Sequence, residues 1–110
     1  FSRPEPRAAM AAALEQVADQ LGGEYGLVIG GKSITNRPML TSINPSHQAQ
    51  VVGRVATATI EDVEQALGVA RRGFANWSKV DVDYRAEYLE LMARELRQRR
   101  FELAAWQVYE

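Results

Sequence analysis

The chain has 110 residues, of which 46% are hydrophobic and 25% charged, a composition that is ordinary for one small globular domain. Its 13 basic and 14 acidic side chains leave a formal charge of −1, which excludes bulk attraction to nucleic acid or anionic lipid. Cysteine is absent and His47 is the single histidine, so disulfides, thiolate zinc sites and histidine metal sites are excluded. The sequence contains no apolar run long enough to span a bilayer and no secretory signal pattern, so we expect a cytoplasmic protein.

The first 22 residues read as a linker followed by a helix. Pro4 and Pro6 predict an extended segment up to Arg7, because proline disfavours the helical conformation in the residue before it. Apolar residues then recur at three- and four-residue spacing, which predicts an amphipathic helix ending at Gly22 and Gly23. The apolar positions of this helix are Met10, Leu14, Val17, Ala18 and Leu21.

Residues 25–56 have the pattern of short β-strands. An apolar run from Tyr25 to Ile29 is followed by Gly30-Gly31, which suits a hairpin turn into residues 32–34. A second stretch covers residues 40–43, is interrupted by Asn44-Pro45-Ser46 and resumes over residues 51–56. The pattern predicts a pair of antiparallel strand units. A nucleotide-binding reading of the two glycines is less favoured, because no G-x-G-x-x-G is present and no helix follows directly.

Two helices are predicted in the second half of the chain. Thr59 and Asp62 form a capping-box pattern, and the helix that follows has an apolar face made by Val63, Ala66, Leu67, Ala70, Phe74 and Trp77. Trp77 can be read as a ligand-stacking residue, but its spacing favours the core. Asp81 is a plausible cap for a last helix reaching Glu110, which is apolar around so much of its circumference that we expect it between two layers. We therefore expect Trp77 and Leu96 to be buried.

Three groups of polar residues are considered as sites, and none is assigned. The basic cluster of Arg94, Arg97, Arg99 and Arg100 is compatible with an anion contact, but a solvated face with Glu90–Arg94 and Glu95–Arg99 pairs is favoured. Carboxylates at Glu61, Asp62 and Glu64 are explained by the dipole of the helix that they begin. His47 lies in a polar turn and has no identifiable nucleophile or orienting acid near it in the sequence. We predict no catalytic, cofactor-binding or metal-binding residue in this segment.

Several segments, taken in order, resemble the N-terminal part of the aldehyde dehydrogenase superfamily. They are Ile43-Asn44-Pro45, Val52 to Val55, Ile60 to Val63, Phe74 to Trp77, and Arg85 with Leu89. Within the superfamily, YGLVIGGK, SINPS, VVGRV and the closing RQRRFELAAWQVYE are most similar to Δ1-pyrroline-5-carboxylate dehydrogenases, also called glutamate-γ-semialdehyde dehydrogenases. The lead-in FSRPEPRAAMAAALEQV resembles the linker that joins proline dehydrogenase to this domain in bifunctional proline-utilisation proteins.

The resemblance implies a parent enzyme with an α/β fold that oxidises glutamate γ-semialdehyde to glutamate with NAD. Residues 23–110 would be the incomplete N-terminal part of its domain, an α+β scaffold, with the family's cysteine nucleophile and nucleotide-binding motifs downstream. Some members bind a monovalent cation near the positions of Ile43 and Glu110, which we do not assign as a site. Expected partners are the remainder of the dehydrogenase chain and a second copy. The alternative is a stand-alone helical module for protein interaction or oligomerisation.

Overall fold

A computed structural model describes residues 4–110 and shows an α+β arrangement, as expected. The elements in chain order are α1 (Pro4–Ala18), β1 (Gly23–Tyr25), β2 (Leu27–Ile29), β3 (Lys32–Ile34), β4 (Met39–Asn44), β5 (His47–Ala56), α2 (Ile60–Trp77), α3 (Val82–Gln98) and α4 (Arg100–Tyr109).

The strands form two small sheets. In the first, β5 lies between β4, which is antiparallel to it, and β1, which is parallel to it with Gly23 opposite Gly53. In the second, β2 and β3 form a hairpin whose turn residues Gly30 and Gly31 have φ values of 59° and 77°. The two predicted antiparallel units are confirmed, but the parallel pairing of β1 was not predicted. The chain leaves one sheet for the other at Gly26, where a Cβ atom would lie 2.7 Å from the carbonyl oxygen of Ile34.

The best-packed core lies between α1 and α4. Val17 and Ala105 are fully buried there and Ala13 is 7% exposed. The Tyr109 hydroxyl donates a hydrogen bond to the Leu14 carbonyl oxygen at 3.2 Å, across 95 positions of sequence. The alanine-rich helix α1 thus has the partner surface that its small apolar face requires.

Helix α1 begins earlier than the sequence predicted. Residues 4–7, expected to be extended, are helical; residues 1–3 of the predicted lead-in lie outside the described residues. Pro4 occupies the first position of the helix and Pro6 lies in the same first turn, where backbone N–H groups need no acceptor within the helix. Proline is therefore compatible with this helix start.

Capping groups define where α2 and α3 begin. The Thr59 hydroxyl accepts a hydrogen bond from the Asp62 N–H at 3.2 Å, and the Asp62 carboxylate accepts one from the Thr59 N–H at 2.9 Å. The Asp81 carboxylate accepts a hydrogen bond from the Asp83 N–H at 2.9 Å. Both predicted helix starts are confirmed.

The prediction of one helix from Asp81 to Glu110 is wrong, because the helix is interrupted at Arg99. Arg99 has φ −91° and ψ 12°, and the new helix α4 begins at the next residue. Its guanidinium pairs with Glu102 at 2.6 Å instead of with the predicted Glu95, whose backbone carbonyl accepts the Arg99 N–H. The predicted pairs Glu90–Arg94 and Glu95–Arg99 are not found among the ion pairs of residues 4–110.

The chain is far more open than a compact domain of its size. Its accessible surface is 8728 Å², against about 6,100 Å² for a compact monomer of this mass. The radius of gyration is 18.2 Å, against about 13 Å for a compact domain. The chain is flat, with extents of 47 × 39 × 17 Å. About 2,600 Å² of surface is thus exposed beyond what a compact fold of this size leaves in water.

Candidate docking surface

Most of the large hydrophobic side chains that are exposed in residues 4–110 lie on α2 and α3. We call the apolar faces of these two helices the α2–α3 surface, which includes Val63, Leu67, Phe74, Trp77, Leu89, Met92 and Leu96. No residue of α3 is buried, and Asp62 is the one buried residue of α2. Helices with this amphipathic pattern normally pack on their apolar face, but among residues 4–110 nothing buries the apolar faces of α2 and α3.

The expected burial of Trp77 and Leu96 is wrong for this chain, since their exposed fractions are 41% and 57%. The spacing of the apolar residues correctly predicts an apolar helix face, but it does not predict that the face is buried. In the described part of the chain, the second layer expected against this face is absent. The core between α1 and α4 lies on other elements, so it covers neither side chain.

A groove of about 640 Å³ lies where α2 ends and α3 begins. Its lining residues are Trp77, Val82, Arg85, Ala86, Tyr88, Leu89 and Met92. The rings of Trp77 and Tyr88 meet edge to face, with centroids 5.4 Å apart and an interplanar angle of 78°. The groove therefore has aromatic and aliphatic walls, and Arg85 is its one charged lining residue.

Arg85 is distinguished from the other arginines by its surroundings. Its Nε atom is buried, and it has no hydrogen-bond partner among residues 4–110. Buried N–H groups in folded proteins almost always have an acceptor. The groove thus contains a buried donor, the Arg85 Nε atom, that has no acceptor among residues 4–110 and lies beside apolar walls.

A part-buried ion pair joins the start of α2 to the loop before β4. Arg37 donates two hydrogen bonds to the Asp62 carboxylate, from Nε and from Nη2, each at 2.8 Å. Asp62 is 2% exposed, and the guanidinium of Arg37 with the N–H of Thr59 holds the pKa of Asp62 well below its usual range. A carboxylate that is fully hydrogen-bonded and ionised is unsuited to proton transfer at neutral pH. Its role is to fix the start of α2.

The sequence identified Asp62 as a cap but missed Arg37 as its partner. Arg37 lies 25 residues earlier in a loop before β4, and no periodic pattern links it to α2. The hint available was a capping aspartate where glutamate is usual, since the shorter side chain leaves its oxygens close to the helix start.

The other candidate residues lie apart from one another. His47 lies at the start of β5 and is exposed, as predicted. It lines an open cleft of about 610 Å³ with Asn44 and Tyr109. Glu110 lines a different cleft beside Ser42. Arg94, like Arg97 and Arg100, is exposed, which agrees with a solvated face. Across residues 4–110 no three His, Cys, Asp or Glu side chains are grouped as a metal site requires.

The described strands differ from the sheet that typically binds a dinucleotide. Nucleotide-binding sheets are built of parallel strands joined through helices, with a glycine-rich turn opening a helix. Here the parallel pairing found in residues 4–110 is between β1 and β5 over three positions, and the Gly30-Gly31 turn leads into a strand. Within the same residues no helix is long and apolar enough to cross a membrane.

Known proteins match this chain along its length. Residues 32–110 match the aldehyde dehydrogenase family. The chain is 42% identical to 1-pyrroline-5-carboxylate dehydrogenase of Geobacillus thermodenitrificans over 110 residues, which are 100% of this chain and 21% of that protein. The chain thus spans about a fifth of the length of the curated relatives that it matches.

Solved structures give the same result. The fold superposes on 1-pyrroline-5-carboxylate dehydrogenase of Thermus thermophilus with a TM-score of 0.95 at 36% identity, over 99% of this chain and 21% of that one. It superposes equally on proline utilization A of Bdellovibrio bacteriovorus, at 30% identity over 99% of this chain and 11% of the other. One structure of the Thermus enzyme contains bound NAD. The resemblance read from the sequence is confirmed, and the chain belongs to the aldehyde dehydrogenase family.

Proposed function

We propose that this chain is the N-terminal scaffold segment of a cytoplasmic, NAD-dependent dehydrogenase that oxidises L-glutamate γ-semialdehyde, the open form of Δ1-pyrroline-5-carboxylate, to glutamate in proline catabolism. The observation that carries the proposal is the 42% identity, along the entire chain, to an enzyme named for that substrate. Residues 1–22 form a linker and helix, and residues 23–110 are the incomplete first part of the dehydrogenase domain.

The scaffold role follows from the chemistry of these residues. Aldehyde dehydrogenases, as the resemblance implies, use a cysteine nucleophile, and the chain has no cysteine. The buried carboxylate of Asp62 is paired with Arg37, and the described strands lack the helix-linked parallel arrangement typical of dinucleotide-binding sheets. NAD and the reacting aldehyde therefore belong to the remainder of the parent chain, which packs on the α2–α3 surface.

In this proposal the segment contributes a large apolar surface on which the rest of the enzyme packs. An excess of about 2,600 Å² on this one partner corresponds to roughly 5,200 Å² counted over both partners, which is the size of a large permanent interface, and such interfaces resemble a domain core divided in two. Helix α2, whose start is fixed by the Arg37–Asp62 pair, and the capped helix α3 present the apolar faces of this surface.

The same exposed surface supports a second candidate, a stand-alone helical module that binds another protein or a second copy of itself. The two candidates differ in the length of the natural protein. Intact mass of the protein purified from its source gives about 12 kDa for the module and several times that value for a dehydrogenase.

The activity test compares the parent chain with the 110-residue chain. Each is incubated with glutamate γ-semialdehyde and NAD, and NADH is followed at 340 nm. We expect NADH formation by the parent and none above a buffer blank by the 110 residues. Failure of the parent to oxidise this aldehyde contradicts the proposed reaction, and NADH formation by the short chain contradicts its role as a scaffold.

A further inference from the structure

We propose that the groove between α2 and α3 is the seat of one segment of the remaining dehydrogenase chain, which inserts an apolar side chain and pairs a carboxylate with Arg85. This inference rests on the proposed function and adds the place and the chemistry of the contact. Its basis is the combination of an apolar groove of about 640 Å³ with a donor that has no acceptor.

The charge of Arg85 identifies the polar part of the occupant. The ion pairs of residues 4–110 are Arg37–Asp62, Arg54–Glu24 and Arg99–Glu102, so no described carboxylate neutralises Arg85. Once the groove is covered, water is removed from the guanidinium, and an uncompensated charge becomes unfavourable. A carboxylate meets the need better than a neutral acceptor, because it supplies both the hydrogen bond and the opposite charge.

The walls of the groove identify the apolar part. Leu89 and Met92 are 68% and 60% exposed, and Trp77 is 41% exposed. Methionine and the edge-to-face pair of Trp77 and Tyr88 form an adaptable surface for an aliphatic or aromatic side chain. The occupant therefore carries an apolar side chain within a residue or two of an aspartate or glutamate.

The area argues for the parent's own chain over a second copy. A standard dimer interface buries about 800 Å² on each partner, which leaves most of the excess of about 2,600 Å² in water. A two-fold contact through the groove also brings two Arg85 side chains into one interface without an acidic lining residue for either, which is unfavourable. The relatives, by contrast, are about five times as long as this chain, and the additional length is sufficient to cover the surface.

The first experiment places a photo-crosslinker in the groove of the full-length parent through Met92→p-benzoylphenylalanine. After irradiation, peptides are mapped by mass spectrometry. We expect a crosslink within one chain to a peptide outside these 110 residues that contains an aspartate or glutamate. A crosslink between two copies, a crosslinked peptide without a carboxylate, or absence of any crosslink overturns the proposal.

The second experiment tests the charge. In the full-length parent, Arg85→Met is compared with Arg94→Met, the same change at an exposed position of the same helix. We expect Arg85→Met to lower the melting temperature by several degrees and Arg94→Met to leave it nearly unchanged. Exchange of the charges, Arg85→Glu combined with arginine at the mapped carboxylate, restores most of the loss. Equal shifts for the two methionine variants, or no recovery on charge exchange, contradict the pairing.

Neither readout requires turnover. A parent that does not oxidise the semialdehyde but gives the expected crosslink refutes the proposed reaction and leaves the groove contact intact. A parent that is active but gives no crosslink refutes the groove contact alone.

Discussion

Val17→Ala is expected to destabilise the 110-residue chain strongly, because Val17 is fully buried between α1 and α4. Removal of two methyl groups loses about 1.6 kcal/mol of transfer free energy, and the remaining cavity adds roughly 1 kcal/mol. The higher helix propensity of alanine returns about half a kcal/mol. The expected loss in the free energy of unfolding is therefore about 2 kcal/mol.

The matched control is Val63→Ala, the same chemical change on a helix but at a position that is 51% exposed. The gain in helix propensity is the same, so the difference between the two variants isolates burial. We expect Val63→Ala to change the stability of the short chain by less than about 0.5 kcal/mol.

The assay is urea denaturation followed by circular dichroism at 222 nm. With a typical urea dependence of about 2 kcal/mol per molar, Val17→Ala lowers the midpoint by roughly 1 M. If the remainder of the full-length parent covers the α2–α3 surface as we propose, the cost of Val63→Ala there should approach that of Val17→Ala. Equal shifts for the two variants in the short chain refute the assignment of its core to α1 and α4.

Three further predictions concern the ion pair, the hairpin and the exposed surface. Arg37 lowers the pKa of Asp62, so the contribution of Asp62 to the free energy of unfolding is fully present above about pH 4, the ordinary carboxyl value. It is lost as pH falls toward the lower pKa of the folded state. Urea midpoints measured between pH 6 and 3 should therefore fall less steeply in Asp62→Asn than in the unchanged chain. Gly31→Ala, in open space at φ 77°, should cost about 1 kcal/mol, whereas Gly73→Ala within α2 should stabilise by about 0.5 kcal/mol, both read from thermal unfolding. The isolated chain should self-associate at micromolar concentration, and a monomer at every concentration in sedimentation equilibrium contradicts this.

The local elements were the most predictable part of the fold. The Thr59 and Asp62 caps and the Gly30-Gly31 turn were read from the sequence, because each depends on residues within a few positions of one another. Pro4 misled the prediction for the same reason. Proline disfavours a helical conformation in the residue before it but is well suited to the first position of a helix, which Pro4 occupies.

Contacts across the sequence were less predictable. The parallel pairing of β1 with β5 and the bidentate contact of Arg37 with Asp62 join residues about 25 to 30 positions apart, and no spacing rule indicates them. The sequence does not indicate the break between α3 and α4 at Arg99, because apolar residues recur at helical spacing on both sides of it.

The apolar stripe of α2 was identified correctly, but its burial was not. A helical pattern identifies the apolar face of a helix, but it does not indicate whether the residues that pack on that face belong to the same segment. The structure shows that Trp77 is exposed and that the Nε atom of Arg85 has no described acceptor. The sequence pattern of this surface is the same as that of an ordinary buried core, so it indicates neither feature.

The most direct test of the account is the rate at which Met92 is oxidised by peroxide in the 110-residue chain and in the full-length dehydrogenase. Met92 is 60% exposed on the α2–α3 surface, and methionine oxidation follows exposure. Met10, which packs against the core of α1 and α4, is the internal reference. Peptide mass spectrometry should show Met92 oxidised several-fold more slowly in the full-length enzyme, with Met10 little changed. Equal rates for Met92 in both proteins would contradict the claim that the remainder of the enzyme covers this surface.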